Sequence, residues 1–457
     1  MDRKLLRTGM WILLALVVLV VLSTFILGML AGRAEKRLDE ALKQIAATGD
    51  PVEMTQLAKP PIPDEENAAL VYRQAFDEIE WPEDRPRFIK DIASGKSKLE
   101  EAAVVSQARD VLRRNRRALE LIHQAAEMPE CDFQRDWSKG IDVVFPEFAK
   151  LRRCSRLLSF ESMMSLHAGR VDDAVEACSA NFRLSNAMDE PYPTGQWARY
   201  GIITMASKSL NTILRDSQPS SEACLSAAEE IGKMELTPSS VEAMKGQRAL
   251  GIWCFNDVRS SPNPPRALAE FISRVHVPTS ESEEARVPQI APGSHSFAKW
   301  SLMIDELTYL ELMERGIKEA ALPYREVASI EPSLEKEREL LRQFPPRIMT
   351  MIFARSASGA ALRRDWGIAD LGLAEVSLLL KAYKAERRKY PDSLAELEEF
   401  AGRALPEDPF SGEDLVYHRE GEGFLLYSWA FNLKDDGGVA SKPRWPDEGD
   451  IVIQCTR

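Results

Sequence analysis

Between Thr8 and Gly32 the chain carries no charged residue over 25 positions. A helix rises about 1.5 Å per residue, so ~20 apolar residues suffice to cross the hydrocarbon core of a bilayer. From Trp11 to Leu30, fourteen residues are Leu, Ile, Val or Phe. At roughly −0.3 to −0.6 kcal/mol each they favour insertion by about 4–8 kcal/mol, and Ser23, Thr24 and Gly28 cancel only part of that. A helix apolar on every face has no side to turn toward water. A cleavable signal would have an apolar stretch of ~7–15 residues followed by small ones. Here the run is longer and leads into Met29, Leu30, Arg33 and Glu35. The reading is an uncleaved transmembrane helix over residues 8–32, with the lipid bilayer as its partner.

Orientation follows from flanking charge. Arg3, Lys4 and Arg7 precede the span, and Arg33, Lys36, Arg37 and Lys43 follow it. The two sides nearly balance under the positive-inside rule. A short basic tail before a first span favours residues 1–7 in the cytoplasm and the body outside. That places the chain in a bacterial inner membrane, single-pass, with a periplasmic body.

The remainder is acidic. Of the 59 basic and 71 acidic residues, three and one lie in the first 32 positions, which leaves 56 against 70, or −14, for residues 33–457. Such a surface repels phosphate backbones and anionic lipid surfaces, so nucleic acid is excluded as a partner of the body. Cysteines stand at 131, 154, 178, 224, 254 and 455 with no C-x-x-C pair, which excludes zinc knuckles and thioredoxin-type motifs. Each reads as a small buried hydrophobe. An exported body also permits disulfides, whose pairing the spacing leaves open.

The periodicity after the span is helical. Residues 33–63 read as a helical stalk ending at Gly49-Asp50-Pro51, then a Pro-rich spacer, Lys59 to Pro63. Residues 64–257 read as a helical domain. Within it Val105, Ala108, Leu112, Leu119 and Ile122 line one helix face. The cluster Arg113, Arg114, Arg116 and Arg117 on that helix reads as a solvated face paired with Asp110 and Glu120. A helical hairpin follows, opening at Pro146, breaking at Gly169 and returning at Val171. Its string G-R-V-D-D-A-V-E-A-C looks like part of a tetratricopeptide hairpin, but no second copy follows at the ~34-residue period of an array.

Residues 258–297 hold six prolines and the run Thr279 to Glu284, a loop. Helical pattern continues over 298–360, where Asp305, Glu306, Glu311 and Glu314 read as the wet face. Residues 361–457 change period: a long helix to about 389, a short helix capped by Ser393 with Glu396 three residues on, then strands at 415–419, 424–428 and 451–453. The fold class is therefore mainly α, with a helical-hairpin body and a small C-terminal α+β domain carrying an antiparallel sheet.

Motifs for nucleophilic, dinucleotide and zinc-protease chemistry (G-x-S-x-G, G-x-G-x-x-G, H-E-x-x-H) do not occur. The one metal-like pattern is Asn432, Asp435, Asp436 and Asp450, oxygen donors around a Gly-rich loop. It suits a hard cation, or else a solvated acidic turn.

An ordered set closes the chain: Tyr383, Lys389-Tyr390-Pro391, Leu394, Leu397, Asp408-Pro409-Phe410, Gly412, Tyr417, Leu426-Tyr427-Ser428, Asn432, Asp435 to Gly438 and Asp450-Ile451-Val452. It resembles the C-terminal domain of the major pseudopilin of type II secretion systems, over about 95 residues. That resemblance implies a long helix against a small antiparallel sheet, and a structural Ca2+ held by Asn432, Asp435, Asp436 and Asp450. The G-F-T-L-x-E string of pseudopilin N-termini is missing, and residues 8–32 contain no Glu. More broadly the chain is similar to single-anchor bacterial envelope proteins that share Asn67-Ala68-Ala69, Cys131-Asp132-Phe133 with Asp136-Trp137, and Ala168-Gly169-Arg170. No activity comes with that likeness. The expected function is a non-enzymatic scaffold or platform for protein partners. The alternatives are an accessory of a type II secretion or pilus-like machine, and an enzyme with an unrecognised site.

Overall fold

The computed structural model describes residues 3–81, 91–92, 101–275, 295–329, 339, 344–357, 359–441 and 449–455. Of the Pro-rich loop expected at 258–297, residues 276–294 lie outside them, and Pro264–Val275 form a helix instead. The chain is 71% helical and closes with a three-stranded antiparallel sheet.

Helix α1 (Arg3–Ala47) carries the apolar run. It is long and apolar enough to cross a membrane, and Trp11, Leu19 and Phe25 on it are all exposed. The same helix continues without a break into the body, where Ala34 and Leu38 are buried, with Ala41, Leu42 and Ile45 packed behind them. The spacing 34, 38, 41, 45 is one helical face. The helical part of the segment 33–63 therefore packs one face into this core. Past Pro51, Met54 and Leu57 continue into the same core.

Three apolar cores follow. The first joins α1 to α9 (Thr237–Ser260), α10 (Pro264–Val275), α11 (His295–Ala321) and α13 (Ile348–Ala357). The second joins α2 (Ala68–Glu78), α4 (Arg116–Glu127), α5 (Pro146–His167), α6 (Val171–Ser185) and α7 (Pro193–Asp216). The third holds α3 (Ala102–Arg114), parts of α5, α6 and α7, α8 (Ser221–Gly232), the long α14 (Ala360–Arg387), α15 (Leu394–Ala401) and the sheet. A short α12 (Tyr324–Ser329) sits between α11 and α13 in the chain.

The sheet is a meander of β1 (Val416–Glu420), β2 (Gly423–Ser428) and β3 (Ile451–Cys455), with β2 central. Tyr417 faces Leu426, and Leu426 faces Ile453. Because α14 and the sheet share a core with α5 to α8, the boundary read at residue 361 does not divide the packing.

Where one helix was read over 105–122, two occur, meeting at Asn115. This buried amide donates to the carbonyls of Glu80 (2.8 Å) and Val111 (2.9 Å) and accepts from Glu80 N–H (2.9 Å). An Asn that offers the backbone such partners competes with a continuous helix. On the exposed face Arg114 pairs with Asp110 (2.8 Å) and Arg116 with Glu120 (3.1 Å), as the sequence suggests. Cys154, Cys178, Cys224, Cys254 and Cys455 are buried, Cys131 is partly so, and none is in a disulfide.

Close approach in the first core rests on two glycines of α9. A Cβ on Gly246 would lie 1.7 Å from the carbonyl oxygen of Pro191, and one on Gly251 would lie 2.2 Å from the ring of Tyr309. Tyr309 in turn donates to Gln247 O at 2.7 Å, locking α11 on α9. Overpacking of this kind costs roughly 1–3 kcal/mol. Gly246→Ala is thus expected to lower the Tm of the purified chain by several degrees, by roughly that free energy in urea unfolding. An unchanged Tm would contradict the packing described.

Candidate functional site

The four residues singled out in the C-terminal loop do come together. Asn432 Nδ2 donates to Asp436 Oδ2 at 2.8 Å, and Gly449 N–H donates to the same oxygen at 2.6 Å. Asp435 Oδ1 accepts from Tyr427 OH (3.0 Å) and Gly437 N–H (2.8 Å). Buried Asp450 accepts from Gly438 N–H at 2.8 Å through one oxygen and from Asp436 N–H at 3.4 Å through the other. The side chains thus tie the loop to β3 by accepting N–H groups. Calcium takes ~6–8 oxygens, and a carboxylate oxygen saturated by donors is not free to serve it. Among the described residues no three His, Cys, Asp or Glu side chains group as metal ligands. As placed, Asp435 Oδ1 and Asp436 Oδ2 each already accept two hydrogen bonds.

The other motifs prove to be joints. Asn67 Oδ1 caps α2 through Ala69 N–H (3.0 Å) and also accepts from Asp132 N–H (2.9 Å), while its Nδ2 donates to Asp132 O (3.0 Å). One amide therefore staples Asn67-Ala68-Ala69 to Cys131-Asp132-Phe133. Next to it buried Arg135 pairs with Glu190 (2.8 Å) and Glu147 (3.0 Å) and lies over the Phe145 ring, 4.4 Å from its centroid. Ala168-Gly169-Arg170 is the turn between α5 and α6, with Gly169 at φ 73° and Arg170 N–H returning to Ser165 O.

The acids of α11 divide, which corrects their reading as one wet face. Glu311 and Glu314 are exposed, but Asp305 and Glu306 are buried. Asp305 accepts from Met349 N–H (2.9 Å) and Thr350 N–H (3.2 Å) at the start of α13, a capping role. Glu306 has no hydrogen bond on either oxygen, and the charge facing it is Arg259, 3.1 Å away. Burial pushes Glu306 up to about 7 and Asp305 up to about 6. Packing on two sides of α11 is what periodicity alone did not show.

Between α1 and α11, just outside the apolar run, lies a cleft of about 770 Å3. Arg37 stands on the α1 wall, Ile304, Thr308 and Glu311 on the α11 wall, and Arg347 at the start of α13. Asp50 links to Arg248 at 2.7 Å and to Lys245 at 3.1 Å, and Arg248 lies 3.4 Å from Glu314. Burial works against the charge of Asp50, but bonds to Arg248 and Lys245 outweigh it and hold its carboxyl below the usual range. Because Asp50 and Glu314 share Arg248, and α1 lines the cleft over 37–48 as α11 does over 304–317, the two helices run parallel there. Arg37 therefore lies toward the 304–308 end, nearer the apolar run of α1.

Comparison with known proteins returned no match to any family model, curated protein or solved structure.

Two expectations follow. Calcium in the C-terminal loop requires Asp435 and Asp436 to exchange N–H groups for the ion. A Tm that rises in millimolar calcium and loses the rise in Asp436→Asn would show that exchange, whereas an unchanged Tm leaves the loop closed by its own hydrogen bonds. For Glu306, an unfolded side chain ionises near 4.5 and the folded one near 7. Its stabilising contribution is complete below the first value and is lost as pH rises through the second. Glu306→Gln should therefore stabilise the chain by roughly 1–3 kcal/mol at about pH 8 and by little at about pH 4.5, read by urea unfolding. An equal effect at both pH values would contradict it.

Proposed function

We propose that the protein is a single-pass component of the bacterial cell envelope, its body held in the periplasm as a non-enzymatic platform for protein partners. The observation that carries this reading is the continuity of α1. One helix presents an apolar surface to its surroundings around Leu19 and enters the body's core at Ala34 and Leu38. A body joined in this way is fixed at the bilayer surface, unlike one on a flexible linker, whose ends wander with the square root of its length. Fixed height and orientation suit a platform that meets other membrane-bound partners. The helical hairpins supply faces on which partner helices or peptides can lie.

A second reading is an accessory of a type II secretion or pilus-like machine. It is supported by the C-terminal resemblance and by the order of α14, α15 and the meander, a long helix against a small antiparallel sheet.

Protease treatment of spheroplasts should degrade the body and leave a membrane-protected fragment of α1. Crosslinking in intact cells should then capture discrete partners. Secretion components among them would favour the second reading, and a fully protected body would overturn the periplasmic placement.

A further inference from the structure

We propose that the juxtamembrane cleft binds the headgroup of a zwitterionic phospholipid of the phosphoethanolamine type, with Arg347 and Arg37 taking the phosphate and Glu311 the ammonium. This rests on the reading of α1 as a membrane span.

Arg347 is only 5% exposed. Its Nε donates to Thr308 Oγ1 at 2.7 Å and its Nη1 to Pro345 O, and Nη2 has no acceptor among the described residues. No carboxylate forms a close ion pair with it there, although buried Asp305 lies near enough to favour its charge. The guanidinium fork suits a phosphate. Arg37 and Glu311 are exposed and have no partner among the described residues. Glu311 follows Thr308 by one helical turn, so it stands beside Arg347's anchor on the same face. At the far end of the cleft Asp50, Lys245, Arg248 and Glu314 pair with one another. Arg37 and Arg347 therefore stand toward the 304–308 end of the cleft, with Glu311 one turn further along its wall, before the Asp50 cluster.

Position selects the ligand. Arg37 lies five residues past Gly32, or ~7.5 Å along the helix. The polar layer on each side of a bilayer is about 5–7 Å thick, so Arg37 stands at headgroup height. Ile45, Ile304 and Leu307 give the cleft an apolar wall for the carbon skeleton below the phosphate. The charge of the body argues against an anionic lipid, since a net −14 beyond residue 32 repels it until screening intervenes. A phosphoethanolamine group is neutral overall and offers N–H donors to Glu311. A choline group has no such donors.

Native mass spectrometry of the full chain in non-ionic detergent tests this, with phosphatidylethanolamine, phosphatidylcholine, phosphatidylglycerol or inorganic phosphate added. The expected result is a one-to-one phosphatidylethanolamine adduct, favoured about tenfold over phosphatidylcholine. Arg37→Gln and Arg347→Gln should lose it, and Glu311→Gln should bind the ethanolamine and choline lipids equally. Lys36→Gln, on the same helix outside the cleft, should leave it unchanged. Arg37 and Glu311 are exposed, so their variants keep the test valid even if Arg347→Gln fails to fold. Equal binding of all lipids, a preference for phosphatidylglycerol, adducts indifferent to these variants, or displacement of the lipid by millimolar phosphate would each overturn the proposal. Alkaline carbonate extraction separates the two levels. A chain that washes off the membrane removes the anchor reading itself, whereas a chain that stays but shows no lipid preference removes only this inference.

Discussion

Two solvents act on one helix. The apolar half of α1 cannot be placed in water without losing several kcal/mol of transfer free energy, and the half around Leu38 cannot leave the body without exposing part of a core. No glycine–proline break separates the two until Gly49 and Pro51. The body is therefore joined rigidly to the apolar helix, and the cleft beside Arg37 lies just past the apolar run by the same geometry.

The interior is organised around helices that pack on more than one side. Helix α14 meets α7 and α8 on one side and the meander on another, which is why nineteen of its residues are buried, Lys381 and Arg364 among them. Each of these buried cations is met by backbone carbonyls: Lys381 donates to Ser217 O at 2.9 Å, and Arg364 to Leu322 O at 2.6 Å while it also pairs with Asp365. A cation satisfied this way ties one segment's end to another's middle, here the ends of α7 and α11 to α14. Arg347 is held in a similar way, by Pro345 O and Thr308 Oγ1, with Asp305 near its charge.

Much of the local structure was legible in the residues. Pro146 and Pro193 open helices because a first-turn proline gives up no hydrogen bond. Gly169 closes one at positive φ, and Ser393 caps another by accepting from Glu396 N–H at 3.3 Å. The strand pattern after residue 415 and the pairing of Arg113 to Arg117 with their neighbouring acids follow from equally short-range rules. Less legible were Asn115, whose side chain splits a helix, and Asp305 and Glu306, whose burial depends on α9, α10 and α13 arriving from distant parts of the chain. An acid on an amphipathic helix looks wet until a second layer covers it.

What the sequence by itself determined is the long apolar helix, the helical body, the closing sheet and the loop that gathers Asn432, Asp435, Asp436 and Asp450. These are set by hydrocarbon transfer, by helix and strand periodicity and by turn chemistry, all of which act over a few residues. Only the tertiary structure decided that the stalk helix packs one face into the core, that the tail shares its packing with the body, and that Arg37, Glu311 and Arg347 face one cleft. Those facts are pairings between segments hundreds of residues apart, and no local free-energy preference encodes them.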